Sequence, residues 1–491
     1  MTEKANIKNL FSQTAIYGVG LLINKALSFL LLPLYTYYFS PAEMGMFNLV
    51  QSLWLFTILI YLYGMETAFI KFFIDVKDEA ERKKLYSTTL LLLTITSVIF
   101  SVIIYSASGG ISALIRFDNP VKGAMLIKIM CFVLFFDTLF RFPLLLLRAE
   151  LNAKLYLYLT LLSLVINIAL NFILIIFAGY GVEAIFYSYI ISVFATFIAG
   201  LAVTRKFLSF EFSFASARKL VIYGNKFIYI GLFTLLIDIA DRFFLKYYYG
   251  EDYVGIYNAN YRLASVMGLI IAAFRFAWTP FFLNLEKNPE NKKIISEIFT
   301  YLVFSGLLLF LFFTFFTSPI VKISFGKFSL LDPRYQQGLS IVPPVLLAYL
   351  FSGLFSALNV APFFANRTSY LLLIVAEGFI INTILNFILI GKYGMEGAAF
   401  STLITYLLMF IHVYFVSQKL YRISYQWNKL SKLVLSASTI YLLSLLINIY
   451  VINEIVKLIL YIILISVFII FSDRTNVVKL NSIKTIFTRH A

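Results

Sequence analysis

Apolar residues run through this chain in stretches of about 20, long enough to cross a bilayer as helices. Short connections rich in Lys and Arg separate them. In lipid only helices and closed barrels satisfy every backbone hydrogen bond, and runs of this length favour helices. Fourteen spans are predicted, from 12–39 and 45–70 through 221–245 to 433–451 and 456–472. The fold class is therefore an all-α polytopic membrane protein. The longest connection expected outside, near 318–337, is too short for a folded soluble domain, so the work is expected inside the bilayer.

The connections also set an orientation. Taking the N-terminus as inside, 25 Lys and Arg fall on inner segments and 8 on outer ones. That bias predicts cytoplasmic N- and C-termini. It also accounts for the net charge of +16: the basic residues mark topology, and nucleic acid is not an expected partner. The first run follows Lys4 and Lys8 as in a signal peptide. It is too long for one and lacks a small-residue cleavage site, so it reads as a retained helix. A composition 61 % hydrophobic and 13 % charged, with mean hydropathy +0.90, excludes a soluble globular protein. Cys131, the one cysteine, sits in an apolar run, so neither a disulfide framework nor a thiolate metal site is expected.

One stretch occurs twice. NIALNFILIIFAGYGVEAI (167–185) returns as NTILNFILIGKYGMEGAA (382–399), and FSPAEMGMFN (39–48) is matched more faintly by YGEDYVGIYN (249–258). Six spans separate the two copies, an even number, so both halves cross the membrane in the same sense. A pseudo-twofold axis along the membrane normal follows, an arrangement known among secondary transporters. The expected organisation is an N-lobe at 1–210 (spans 1–6), a C-lobe at 211–420 (spans 7–12), and an addition at 421–491 holding spans 13–14 and a cytoplasmic tail. Asn167 and Asn171, like Asn382 and Asn386, are spaced to hydrogen-bond between helices as structural glue.

Twelve charges fall inside the spans, seven basic and five acidic. Each costs a few kcal/mol at a helix centre and so should face a cavity or a partner. The candidates for binding an anionic cargo are Lys25, Arg141, Arg242, Arg262 and Arg275. Those for ion coupling are Glu66, Asp137, Asp238, Asp241 and Glu377. Lys25 lies mid-span with no acid three or four residues away. Asp137, Arg141 and Arg148 share one face of span 4, where a closed Asp137–Arg141 pair is the alternative and Arg148 reads as an inner-surface anchor. Asp238, Asp241 and Arg242 place two acids beside one base. Arg262 shares a face with Asn258, whereas Arg275, just before Trp278 and Pro280, also fits a snorkelling anchor, as do Lys128 and Lys226. Glu66 and Glu377 have no local base and suit either a coupling path or a partnership with Lys25. Aligning the halves pairs Lys25 with Leu235 and Arg141 with Phe355, so the charges are not duplicated with the scaffold.

No GxxxxGK[ST], HExxH or strand-borne GxGxxG is present, and of the two histidines His412 lies near a span end and His490 in the tail. The expectation is a protein that is not an enzyme, with no metal and no cofactor, driven by an H⁺ or Na⁺ gradient, the membrane potential or its cargo's downhill fate.

LPLYTYYFSPAEMGMFNLV (32–50) resembles the polysaccharide-biosynthesis flippases, the bacterial O-antigen repeat-unit translocases of the multidrug/oligosaccharidyl-lipid/polysaccharide exporter superfamily. The likeness continues in DRFFLKYYYGEDYVGIYNANYRLA (241–264), in FRFAWTPFFLN (274–284) and in the two NxxLNFILI stretches. It implies two six-helix lobes around a cationic cavity, alternately open inward and outward, in the bacterial inner (cytoplasmic) membrane. The implied cargo is an undecaprenyl-pyrophosphate-linked oligosaccharide, moved from the cytoplasmic to the periplasmic leaflet for surface polysaccharide assembly. The implied partners are membrane lipids and a polysaccharide polymerase machinery. Spans 13 and 14 help form a lipid-tail groove in the related lipid II flippase. A cation-coupled multidrug antiporter is the rival reading, but it calls for an acidic cavity. A polymerase or glycosyltransferase calls for a large outer loop or a catalytic acid motif, and neither is found.

Overall fold

The computed structural model describes residues 29–209, 211–225, 228–283, 289–325 and 328–477. Helix dominates, and the described strands are one short antiparallel pair, Ser324–Phe325 with Phe328–Ser329. In chain order the helices are α1 (Leu32–Tyr38), α2 (Pro41–Leu62), α3 (Met65–Asp75), α4 (Glu79–Ile115), α5 (Pro120–Ala149), α6 (Ala153–Phe172) and α7 (Glu183–Thr204). There follow α8 (Phe214–Gly224), α9 (Ile228–Tyr249), α10 (Glu251–Leu283), α11 (Pro289–Val321), α12 (Val342–Leu358) and α13 (Val360–Phe364). The last four are α14 (Ser369–Leu385), α15 (Gly391–Leu420), α16 (Trp427–Tyr450) and α17 (Glu454–Arg474).

Helix starts follow from sequence. Ser40 caps α2 with a full capping box: its hydroxyl accepts from the Glu43 amide while the Glu43 carboxylate accepts from the Ser40 amide, and Pro41 occupies the first turn. Asp78, Asn119, Asn152 and Asn453 cap α4, α5, α6 and α17 through their side-chain oxygens.

Eleven stretches of the described residues are long and apolar enough to cross a membrane. The protein is a multi-pass membrane protein. Fourteen predicted spans become eleven because two are absent and two others are joined. Most of span 12–39 lies outside the described residues. Span 221–245 corresponds to α8 and α9, and α9 carries Asp238, Asp241, Arg242 and Lys246. Spans 369–390 and 397–416 form one helical stretch, Ser369–Leu420, broken at Gly394. There φ of 57° and ψ of −128° give a backbone conformation that favours glycine.

The repeated stretches share a local structure. Each Asn-Phe-Ile-Leu segment ends its helix in a wide π-helical turn, at Ile173–Phe177 and at Asn386–Ile390. All four asparagines are buried. Asn171 donates to the backbone and side-chain oxygens of Asn167 and accepts from the Tyr35 hydroxyl, and Asn382 donates to Thr405. Asn171, through Tyr35, and Asn382, through Thr405, tie neighbouring helices together.

Packing groups the chain into two compact units. One runs to Ala259 and takes in Thr383–Met395; the other comprises Asn260–Asn382 and the chain from Glu396 onward. In the first, α5 is the central helix, packed against α4, α7 and α2, while α9 packs on α2 and on the π turn at Asn386–Ile390. Gly200 lets α7 close on Pro143 of α5: a Cβ there would lie 2.8 Å from the proline Cβ. In the second unit α11 packs against α12, α16 and α17.

Candidate functional site

In the first unit a cavity of about 380 Å³ opens beside α5. Helical spacing brings its polar lining to one place. Asp137, Arg141 and Arg148 come down one side of α5; Tyr156, Thr160, Ser163 and Asn167 face it from α6; Tyr189 and Ser192 come from α7 and Glu66 from the start of α3. Leu and Val side chains complete the wall.

Arg141 is the hub. Its Nε and Nη2 donate to Asp137 Oδ2 at 3.3 and 3.1 Å, and its Nη1 reaches Glu66 Oε1 at 3.3 Å. The Tyr189 hydroxyl donates to the other Asp137 oxygen at 2.8 Å. Asp137 is 4 % exposed, so its charge requires these partners, whereas Arg141 and Glu66, at 37 and 38 %, border the open volume. The i,i+4 pair expected from sequence forms. Glu66, for which no local base could be named, finds its base 75 residues away in Arg141.

Arg148 stands two helical turns from Arg141, about 10 Å along the axis. It is exposed, lines the same cavity, and takes part in none of the ion pairs among the described residues. Sequence reasoning left it as a surface anchor and did not name Tyr156, Thr160 or Tyr189. The signal was the i,i+7 spacing of Arg141 and Arg148 on one helix face; the helix opposite could not be known.

The other candidates lie elsewhere. Arg242 is buried at the corner of α9 and α10: its Nε donates to Asn258, its Nη1 to the Asp241 carboxylate at 2.9 Å and to the Asp238 carbonyl. The Tyr257 hydroxyl closes the corner on the second Asp241 oxygen at 2.6 Å. In the second unit Arg275 donates to the Ser352 carbonyl and hydroxyl, Arg262 is half-buried with its carbonyl accepting from Ser265, and Glu377 Oε2 lies 2.7 Å from His412 Nδ1. Glu377 thus has a base on the next helix that local spacing could not reveal. Lys25 lies outside the described residues. No group of three or more His, Cys, Asp or Glu among the described residues is placed to hold a metal ion.

The protein is thus a multi-pass helical bundle with a charged, hydroxyl-lined cavity among the helices of its first unit. Solved structures share this fold. A lipid II flippase, MurJ, in an inward closed conformation matches with a TM-score of 0.76 at 16 % identity, over 95 % of this chain and 98 % of its own. An inward-facing multidrug resistance MATE family transporter of the MOP superfamily gives 0.64 at 14 % identity over 82 % of this chain and 94 % of its own. The Vibrio cholerae MATE transporter VcmN gives 0.60 at 16 % identity over 85 % of this chain and 98 % of its own. No curated protein sequence matches. A family of polysaccharide biosynthesis proteins matches residues 10–286, more than half of the chain. The protein belongs to that family, as its sequence motifs suggested.

Proposed function

We propose that the protein is a flippase that moves an undecaprenyl-pyrophosphate-linked oligosaccharide from the cytoplasmic to the periplasmic leaflet of the inner membrane by alternating access. The observation that carries this reading is the α5–α6–α7 cavity, where Arg148, in none of the ion pairs among the described residues, shares the lining with hydroxyl and amide groups. A pyrophosphate is an anion that must pass hydrocarbon, and a guanidinium binds its oxygens through a planar fork of donors. Tyr, Thr, Ser and Asn supply the donors and acceptors a sugar requires. Arg141 keeps N–H donors beyond those it gives Asp137 and Glu66, and a phosphate in the cavity would compete with the two carboxylates for its charge. Glu66 and Asp137, which hold Arg141 in this cavity, are the first of the proposed H⁺ or Na⁺ coupling carboxylates. A cavity of about 380 Å³ suits the pyrophosphate and the first sugar, with the remaining sugars beyond it.

Lys25, Arg242, Arg262 and Arg275 remain part of the proposed cationic path, and Asp238, Asp241 and Glu377 are the other proposed coupling carboxylates. The lobes at 1–210 and 211–420 and the added helices at 421–491 are the proposed moving parts, with both termini cytoplasmic. A polysaccharide polymerase is the proposed downstream partner. The cation-coupled drug antiporter is the second reading, favoured by Glu66 and Asp137 in the same cavity and by the MATE-like fold.

The purified chain in proteoliposomes with a fluorescent undecaprenyl-pyrophosphate glycan, read with a membrane-impermeant quencher, decides between them. Quencher-accessible cargo that rises with the protein and falls in Arg148→Gln supports the flippase. Uptake of a cationic dye with no movement of the glycan supports the antiporter. Transport indifferent to H⁺ and Na⁺ gradients and to the potential refutes the coupling.

A further inference from the structure

Another cavity of the first unit, of about 360 Å³, lies between α4 and α5. Val98, Val102 and Tyr105 line it from α4, and Phe132, Phe135 and Phe136 from α5. Phe132 stands nine residues before Arg141, about two and a half helical turns, so the two cavities open on opposite faces of α5. The Ser101 hydroxyl, also in the lining, is bonded to the Tyr61 hydroxyl at 3.0 Å and the Cys131 carbonyl at 3.4 Å, so it needs no polar partner from the cavity. None of residues 98–107 of α4 is buried, although they belong to a stretch apolar enough to cross the membrane. An apolar cleft open on such a face takes hydrocarbon, because water inside it would lack the polar partners it requires.

One charge stands at this cleft. Lys128 is one turn before Phe132 on the same side of α5, and its Nζ lies over the Tyr105 ring, 5.1 Å from the centroid. Lys128 is exposed and takes part in none of the ion pairs among the described residues. Helix side chains lean toward the N-terminus, which in α5 is the end at the α4–α5 connection. The 30 residues of α5 extend about 45 Å against a hydrocarbon core of about 30 Å, so a centred helix projects about 7 Å at each end. Lys128, about 12 Å from the helix start, then sits about 5 Å beneath the hydrocarbon boundary, within a lysine's reach of the headgroup phosphates. A cation at that depth needs a counterion. A zwitterionic lipid brings its own ammonium to its phosphate, whereas an anionic lipid leaves the phosphate charge to Lys128.

We infer that the cleft between α4 and α5 is a binding site for an anionic phospholipid from the leaflet on the side of the α4–α5 connection. One acyl chain lies among Val98, Val102 and the three phenylalanines, and Lys128, steadied by Tyr105, holds the phosphate. The occupant completes the packing of α4, whose main neighbour is α5. The site is separate from the proposed cargo path and stands whether or not the protein moves a glycan.

The test uses the full chain in phosphatidylcholine nanodiscs doped with a phosphatidylglycerol or a phosphatidylcholine that carries a diazirine in one acyl chain. Irradiation followed by peptide mass spectrometry locates the labelled residues. Label at 98–106 and 131–136 should be at least several-fold higher from the glycerol lipid than from the choline lipid. Lys128→Gln should erase that difference. Val102→Trp, which fills the cleft from an exposed position, should lower labelling there by both lipids. Equal labelling of the native cleft by the two lipids, or a difference that survives Lys128→Gln, overturns the site. Lys128 is exposed, so its variant reports even if Val102→Trp misfolds. Undecaprenyl phosphate that displaces the labelled glycerol lipid better than unlabelled glycerol lipid does would assign the cleft to a polyprenyl tail and overturn the phospholipid assignment.

Discussion

Asp137 and Arg141 offer the sharpest test of the cavity's electrostatics. Asp137 is 4 % exposed and accepts from Arg141 twice and from Tyr189 once. Asp137→Asn keeps one acceptor oxygen and leaves Arg141 paired with Glu66. It loses hydrogen bonds to a charged group, normally worth about 1.5–3 kcal/mol. Arg141→Gln instead leaves a buried carboxylate with no cation, normally about 3–5 kcal/mol. Because Arg141 is 37 % exposed, solvent screens the pair, and the low ends apply: about 1.5 kcal/mol for Asp137→Asn and about 3 kcal/mol for Arg141→Gln. The double variant replaces an ion pair by two amides able to bond each other. It should therefore cost at least about 1 kcal/mol less than the two single changes together. Reversible unfolding in mixed micelles of rising SDS content measures all three. Single effects that add to within about 0.5 kcal/mol would refute the pairing, as would Asp137→Asn proving the costlier change.

Arg148→Gln should lower glycan flipping in proteoliposomes at least several-fold while leaving the unfolding midpoint in place, since the side chain is exposed and makes no ion pair among the described residues; a fall in the midpoint would make it structural. Gly200→Ala should cost about 1–3 kcal/mol by the same unfolding assay, because its Cβ would meet Pro143 at 2.8 Å; a neutral result would show that α5 and α7 part readily. Ser40→Ala removes the α2 cap and should cost about 1 kcal/mol, with Ser40→Asp restoring most of it. His412→Ala and Glu377→Gln should have the same effect on the pH-gradient dependence of transport if the 2.7 Å pair acts as one coupling unit; dependence lost in only one of them argues against that.

Sequence alone determined the class of this protein. The length of the apolar runs dictates helices across a bilayer, because lipid leaves the backbone no other partner for its hydrogen bonds. The repeat was equally legible, with its asparagine pairs, whereas the π turn in which both copies end their helices appeared only in the structure. The helix starts were not legible: side-chain caps at Ser40, Asp78, Asn119 and Asn152 begin the helices two to seven residues ahead of the predicted spans at 45, 86, 123 and 155, because hydropathy marks the apolar run and not the polar first turn. The pairing of charges was legible only where it too is local. Asp137 with Arg141 follows from an i,i+4 spacing, but Glu66 with Arg141 and Glu377 with His412 join separate helices, and nothing in helical periodicity ranks one distant partner above another. Arg148 changed most. Its place near a helix end suggested a surface anchor, and only the packing of α6 and α7 onto α5 turned that face into a cavity wall. Lys246 was assigned to an outer connection, yet it is 5 % exposed between Asp118 and Glu251. Local physics specifies which segments are helices and where they begin. Which charges meet depends on how those helices cross, a matter of side-chain fit between segments far apart in the chain.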